Sequence, residues 1–346
     1  MDVKRLTLSI GVDLGGTNIK FGLVTSDGRI LKRLNIPTNA EEGPEAITSR
    51  IVKAIIGLRQ CLKHNSDLPQ AVGIGSAGLV NHRQGIIHFS PNLPGWKDIP
   101  LKKWIEDEVK VKVFVGNDAN AFALGEFCFG AGKGSNSLFG ITLGTGIGGG
   151  IIYNGKLLLG INHAAGEVGH TSINAFGPKC RCGNYGCLER YVGAEYIVER
   201  TIKQLKNHHS KHKTKNSEIL SCLSNRPSRE TRIGRQCRDV PQALTPEIIS
   251  LAAKKGDALA KTIIAETGMY IGVGLANVVS MIDPEIIVIG GGVSGFGKLL
   301  LNSIKKTVSE RIMNFAGRKL KIVLSKLKDD AAILGASQFE KFLGHE

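Results

Sequence analysis

The sequence predicts an α/β protein of two domains, related in architecture and facing one another. Three observations carry this. The chain has 346 residues, too many for one compact core and suited to two domains of ordinary size. A strand–glycine turn–strand pattern occurs twice, as Ile10-Gly-Val-Asp-Leu-Gly-Gly-Thr-Asn-Ile-Lys and as Ile141-Thr-Leu-Gly-Thr-Gly-Ile-Gly-Gly-Gly, once early in each half. Elsewhere strand-like and helix-like stretches alternate, the mark of α/β layers.

The elements follow in order. Leu6 to Val12 is a first strand, Asn18 to Val24 a second, and Gly28 turns the chain toward a third. The join between the first two is a hairpin, not the strand–loop–helix of a P-loop or dinucleotide fold, and Gly-x-x-x-x-Gly-Lys-Ser/Thr is absent. Ile47, Ile51, Ala54, Ile55, Leu58 and Leu62 stand at helical spacing over 44–64. Ala71 to Ile74 is a short buried strand, Trp104 to Val109 a short helix, and Val111 to Val115 another strand. In the second half, Leu138 to Leu143 and Ile147 to Tyr153 are hairpin strands around Gly144-Thr145-Gly146. Ala258 to Val279 reads as a long helix, and Glu285 to Ile289 as a buried strand ending in Gly290-Gly291-Gly292. The last helix, Ala331 to Phe342, packs back on the first domain. We therefore draw one domain over 1–120, joined by the C-terminal helix at about 328–346, and a second over 121–327. The second carries a cysteine-rich loop (166–189) and a basic insertion (205–240).

Composition narrows the function classes. Hydrophobic residues make up 42% and charged residues 22%, proportions of a globular chain. The start, with Asp2, Lys4 and Arg5, does not read as a signal peptide. The longest uncharged run, Gly134 to Gly155, is dense in Gly, Thr, Ser and Asn, so it reads as strands and turns rather than a membrane span. The net charge is +15, but residues 199–240 hold eleven Lys/Arg against four Asp/Glu, nearly half of that excess. A nucleic-acid partner is thus not expected; a mildly basic remainder also suits an anionic substrate. Of the seven cysteines, Cys61, Cys128, Cys180, Cys182, Cys187, Cys222 and Cys237, three crowd together. The odd count points to a reducing compartment, the cytoplasm, and to one metal site rather than a disulfide framework.

Four constellations carry chemistry. Asp13, Gly15, Gly16, Thr17 and Asn18 form a turn whose backbone amides can approach phosphate oxygens, with Asp13 able to hold Mg²⁺ or its water shell. Gly144-Thr145-Gly146 with Gly148 to Gly150 is a second such turn. With Gly290 to Gly292 added, the three fit β/γ-phosphate, α-phosphate and adenosine contacts. A tight turn without a ligand is the plainer reading of any one of them. Asp118, in Gly116-Asn117-Asp118-Ala119-Asn120-Ala121, follows a strand. It reads equally as a base that accepts the proton of an attacking hydroxyl or as the N-cap of the next helix. His170 with Cys180, Cys182 and Cys187 gives a closed tetrahedral Zn²⁺ set, structural because no coordination position is left open. Glu167 and Glu189 flank that knot, where they could accept hydrogen bonds from sugar hydroxyls; surface salt bridges are the commoner use of such residues.

Taken together these motifs resemble the ROK family of repressors, open-reading-frame proteins and sugar kinases. The resemblance spans nearly the whole chain except about 205–240. It lies in Asp13-Leu-Gly-Gly-Thr-Asn, in Leu143-Gly-Thr-Gly-Ile-Gly-Gly-Gly, and in Gly166-Glu-Val-Gly-His170 joined to Cys180-Arg-Cys-Gly-Asn-Tyr-Gly-Cys-Leu-Glu189. It implies an actin-like, hexokinase- and ribonuclease H-like fold with a sugar in the interdomain cleft. It also implies Asp118 as general base and sugar contacts from Gly78, Asn92, Asn117, Asp118, Glu167, His170 and Glu189. The nucleotide side would comprise Asp13, Gly15, Gly16, Thr17, Asn18, Lys20, Gly144, Thr145, Gly146, Gly291 and Gly292. The implied activity is ATP- and Mg²⁺-dependent phosphorylation of a hexose 6-hydroxyl, glucose first, with N-acetylglucosamine and N-acetylmannosamine as alternatives. A homodimer is expected. A DNA-binding regulator of the family needs a helix-turn-helix ahead of the first motif, where this sequence has twelve residues. A non-catalytic sugar sensor would not need Asp118 and both phosphate turns.

Overall fold

The computed structural model describes residues 6–60, 62, 68–211, 219, 244–313, 315 and 318–344. Two five-stranded sheets organise it. The first has the order β3-β2-β1-β4-β8, from β1 (Leu8–Leu14), β2 (Asn18–Thr25), β3 (Ile30–Pro37), β4 (Ala71–Ser76) and β8 (Lys112–Asn117). The second has the order β11-β10-β9-β12-β13, from β9 (Leu138–Leu143), β10 (Ile147–Tyr153), β11 (Lys156–Leu158), β12 (Ile286–Gly290) and β13 (Lys321–Leu324). In each, three antiparallel strands open the sheet and two parallel strands complete it. The two glycine-turned hairpins are thus equivalent parts of two like sheets. A small third sheet, β5 (Leu79–Asn81), β6 (Ile86–Phe89) and β7 (Lys97–Ile99), flanks the first.

Burial explains the strand patterns. β4 and β12 are buried along their whole length, as parallel strands covered on both faces must be. The first lobe packs Phe21, Ile47, Ile51, Ile55 and Trp96 into one core, using α1 (Gly43–Gln60) and α2 (Leu101–Val109). The second lobe packs α4 (Glu189–Val192), α5 (Ala194–Lys211), α6 (Pro246–Lys254), α7 (Ala258–Ile282) and α8 (Lys298–Arg311) into another. By length and composition α7 could cross a membrane, but most of it is buried inside the protein as a core helix. Residues 205–211, expected within the basic insertion, instead extend α5, because Ile197, Thr201 and Leu205 stand four apart on its buried face. Apart from Ile219, the remainder of that insertion lies outside the described residues, as do Cys61, Cys222 and Cys237.

Helix α3 (Asp118–Phe129) runs on from β8 but packs on β9 and β10 of the second sheet. Helix α9 (Ala331–Ala336) follows β13 but lies on β1 and β4 of the first. The expected 120/121 boundary therefore falls inside a helix. Glycines permit these contacts: a Cβ at Gly11 would stand 1.9 Å from the Ile333 carbonyl oxygen, and one at Gly73 1.8 Å from that of Ala336. The expected single C-terminal helix is two. Ser337 bonds back to Leu334 and ends α9, and α10 (Phe339–Leu343) then drives Phe339, fully buried, against Gly116.

Where the chain returns from β13 to α9 it is bound by Glu126 of α3, whose side chain is wholly buried. One oxygen accepts from the Ser325 hydroxyl and the Leu327 amide (2.9 Å), the other from the Ala131 amide (2.7 Å). Buried polar groups must be paired in this way, and here the pairing ties the two interlobe connections to each other.

Candidate active site between the lobes

The first glycine turn joins β1 to β2. The Gly15 amide donates to Asn18 O at 3.1 Å, and Thr38 braces the turn by donating through its hydroxyl to Gly15 O at 2.7 Å. Thr17 and Asn18 are exposed at its tip. Gly16 lies against the Asn92 loop, where a Cβ would stand 2.9 Å from Asn92. Asp13, at the end of β1, sits opposite Lys20 of β2 in register.

Asn92 thus borders the first turn. Gly78 is held nearby: its φ of 105° suits glycine, and its carbonyl accepts from Asn117 Nδ2 at 3.2 Å. The cap of α3 is Asn117, not Asp118. The Asn117 Oδ1 accepts from the amides of Ala119 (2.9 Å) and Asn120 (3.2 Å). Asp118, the first helical residue, takes a bond from Ala119 N at 2.8 Å. The sequence left capping and chemistry as equal readings of Asp118. Its neighbour takes the cap, and Asp118 is left half-buried at the helix start, its pKa raised by burial.

The second turn joins β9 to β10. The Gly144 amide donates to Gly146 O at 3.0 Å, with Thr145 and Gly146 exposed. The start of α3 rests on the strand that follows, with Ala119 2.8 Å from where a Gly148 Cβ would be. The third cluster adjoins it: Gly291, at φ 83°, lies against Leu143, leaving no room for a side chain, and Gly292 is exposed and unobstructed.

Electrostatics link the carboxylates of both lobes. Burial, reinforced by the charge of Asp118 and opposed by Lys20, pushes the Asp13 carboxyl up to about 6. Burial also raises Glu167, with His170 opposing and the charges of Asp118 and Glu189 adding. Glu189 Oε2 accepts from the Ile147 amide at 3.0 Å. Asp13, Asp118 and Glu167, each held above its ordinary pKa, leave an excess of negative potential that a divalent cation or a proton relieves.

His170 ends a short 3₁₀ turn (Val168–His170). Its ligand nitrogen and the sulfurs of Cys180, Cys182 and Cys187 all lie within 4.8 Å of one another. Cys182 and Cys187 sulfurs are 3.6 Å apart, and Cys180 Sγ is 3.9 Å from His170 Nδ1. Ligands at tetrahedral angles around one Zn²⁺ stand roughly 3.5–3.8 Å apart, so this donor set fits that ion.

Three contributors escaped the sequence reading. Asp329, from the return connection, adds its charge to Asp13 from more than three hundred residues away, with no motif to announce it. The Glu189–Ile147 bond joins two motifs read separately. His82, after β5, meets His163 of the second lobe edge to face, ring centroids 4.3 Å apart, and neither histidine lies in a motif.

Two like sheets with glycine turns and a shared carboxylate cluster between them define the actin-like two-domain class. The chain belongs to the ROK family, whose profile matches residues 9–341. It is 37% identical over 335 residues to a glucokinase of Thermotoga maritima, covering 96% of each chain. It is 31% identical to the xylose repressor of Caldicellulosiruptor bescii, covering 94% of this chain and 76% of that one. Among solved structures it resembles a ROK family glucokinase from Streptomyces griseus in complex with glucose and AMPPNP, with a TM-score of 0.77, 34% identity, and coverage of 96% of this chain and 98% of that one.

Proposed function

We propose that this protein is an ATP-dependent hexose kinase that transfers the γ-phosphoryl group to the 6-hydroxyl of glucose. The observation that carries the reading is Asp118. It follows the end of β8, its charge acts on Asp13 at the end of β1, and the next residue rests on Gly148 of the second hairpin. Asn117 is the principal cap of α3, and burial, by raising the Asp118 pKa, supports it as a better proton acceptor than an ordinary carboxylate. The names of the relatives, glucokinases above all, support the substrate.

In the reaction the sugar lies against Gly78, Asn92, Asn117, Glu167, His170 and Glu189. Asp118 accepts the 6-hydroxyl proton as that oxygen attacks the γ-phosphorus. Amides of the Gly15–Thr17 and Gly144–Gly146 turns, with Asn18 and Lys20, meet the phosphate oxygens, and Gly291 and Gly292 border the nucleoside. Mg²⁺, when bound with ATP, neutralises charge developing on the phosphoryl oxygens; Asp13 is the carboxylate that would face it. In-line transfer of this kind depends on positioning and electrostatic stabilisation more than on covalent chemistry by the protein.

His170, Cys180, Cys182 and Cys187 would hold a structural Zn²⁺, all four positions being filled by protein. His170 turns Nδ1 toward Cys180, which leaves Nε2 for the sugar. We read the protein as a cytoplasmic homodimer acting on two small molecules. The test is ADP release with ATP and Mg²⁺ against a panel of glucose, N-acetylglucosamine, N-acetylmannosamine and xylose. Turnover of glucose with the highest kcat/KM is expected. Turnover of an N-acetylated sugar alone would move the assignment to that substrate, and binding without turnover would make the protein a sensor.

A further inference from the structure

We propose that Glu189 is a positioning residue for the second glycine turn, through which the His/Cys knot sets nucleotide affinity. The proposal rests on the kinase reading above and adds to it a role on the phosphate side of the cleft.

The turn between β9 and β10 is gripped at both ends by one short segment. At its far end the Ile147 amide donates to Glu189 Oε2 at 3.0 Å. At its near end the Gly144 carbonyl accepts from the Ala194 amide, the first residue of α5, also at 3.0 Å. Between them Gly193 lies close under Thr145, where a Cβ would stand 3.0 Å from the Thr145 carbonyl. The fit tolerates little: a Cβ on Gly146 would come within 2.9 Å of the Glu189 carboxylate.

The gripping segment begins at the knot. Cys187 pairs with Ser172 in an isolated bridge, and the next amide, Leu188, donates to Thr171 O at 2.9 Å. Leu188 is fully buried against Gly274 of α7. Glu189 follows at once as the first residue of α4. Ordering of the four ligand residues therefore fixes the backbone from which Glu189 reaches the turn. Its charge also acts on Glu167, so one carboxylate faces both the sugar-side cluster and the phosphate-type turn. By linkage, whatever holds that carboxylate on one side alters affinity on the other, and equally in reverse.

The experiment measures AMP-PNP binding with Mg²⁺ by calorimetry, without sugar, in full-length wild type, Glu189→Ala and Glu189→Gln. Losing a charged acceptor should weaken nucleotide binding about tenfold or more in Glu189→Ala. Glu189→Gln, which keeps an acceptor oxygen, should recover most of it. A residue that touched only sugar would leave all three affinities equal, and that result would overturn the proposal. Amide exchange supplies the second readout. Ile147 and Gly144–Gly146 should exchange faster in Glu189→Ala while β12 and α7 keep their protection. Unchanged exchange at Ile147 would equally overturn it, and this readout does not require the variant to bind ligand. Failure of the kinase reading has a different signature: wild type that binds no nucleotide at all.

Discussion

Replacing Asp13 by Asn should make the protein more stable and abolish its proposed activity at once. The folded structure holds this carboxyl at about 6 rather than the ordinary 3.8, chiefly by burial and by its proximity to Asp118. Such a group binds its proton more tightly in the folded than in the unfolded chain. Stability is therefore lost as pH rises through roughly 3.8 to 6, and the cost is fully present above that window. Two pH units correspond to at most about 3 kcal/mol, and about 2 kcal/mol once solvent access to the half-buried side chain is allowed for. Asn removes the charge while keeping the shape. Urea unfolding should thus show Asp13→Asn to be about 2 kcal/mol more stable than wild type at pH 8, and only about a third as much at pH 4.5. Adding Mg²⁺ and AMP-PNP should stabilise wild type and leave the variant unmoved. A variant no more stable than wild type at pH 8, or a gain independent of pH, would refute the reasoning.

Other outcomes follow from single residues. Asp118→Asn should lower kcat by about 10²-fold or more with sugar affinity largely kept, and single-turnover kinetics near the wild-type rate would contradict a base at this position. Glu126→Ala leaves three donors from Ser325, Leu327 and Ala131 without their acceptor, and should cost about 3–5 kcal/mol in urea unfolding; a loss below about 1 kcal/mol would mean that water replaces the carboxylate. His163→Ala removes the ring contact with His82 across the lobes, so sugar KM should rise roughly two- to tenfold with kcat kept. In a double-mutant cycle with His82→Ala the two effects should not add. Elemental analysis of the purified protein should find one zinc per chain, and a chelator should lower its melting temperature; a metal-free protein of full stability would exclude the knot.

Much of the fold was legible because its signals are local. The paired hairpins announce themselves by glycine between apolar strands, and Leu138–Leu143 and Ile147–Tyr153 fall where the pattern put them. The His/Cys set was legible for the same reason, since thiols at close spacing in a loop have few other uses. Position 118 was half legible: two adjacent residues were both good caps, and only the geometry of Asn117 decides between them. The break at Ser337 was hidden because every residue from Ala331 to Phe342 tolerates helix, and the turn is set by contacts with Gly116 and the first sheet. Asp329, Glu126 and the histidine pair were invisible in principle. Apart from Ala131, a near neighbour of Glu126, their partners lie tens to hundreds of residues away, and nothing in a lone carboxylate or histidine specifies a distant neighbour.

The placement of α3 and α9 has a consequence for how the molecule exists at all. Each half lends the other a helix: the one that leaves the first sheet covers the second, and the one that leaves the second covers the first. The arrangement is a reciprocal exchange, like two clasped hands, within one polypeptide. A chain cut before residue 331 would leave the glycine-floored face of the first sheet bare, because no side chain at Gly11 or Gly73 can substitute for the missing backbone. Neither half closes its core without a helix supplied by the other. The two lobes are therefore expected to unfold in one transition, since the contacts between them run through both exchanged helices.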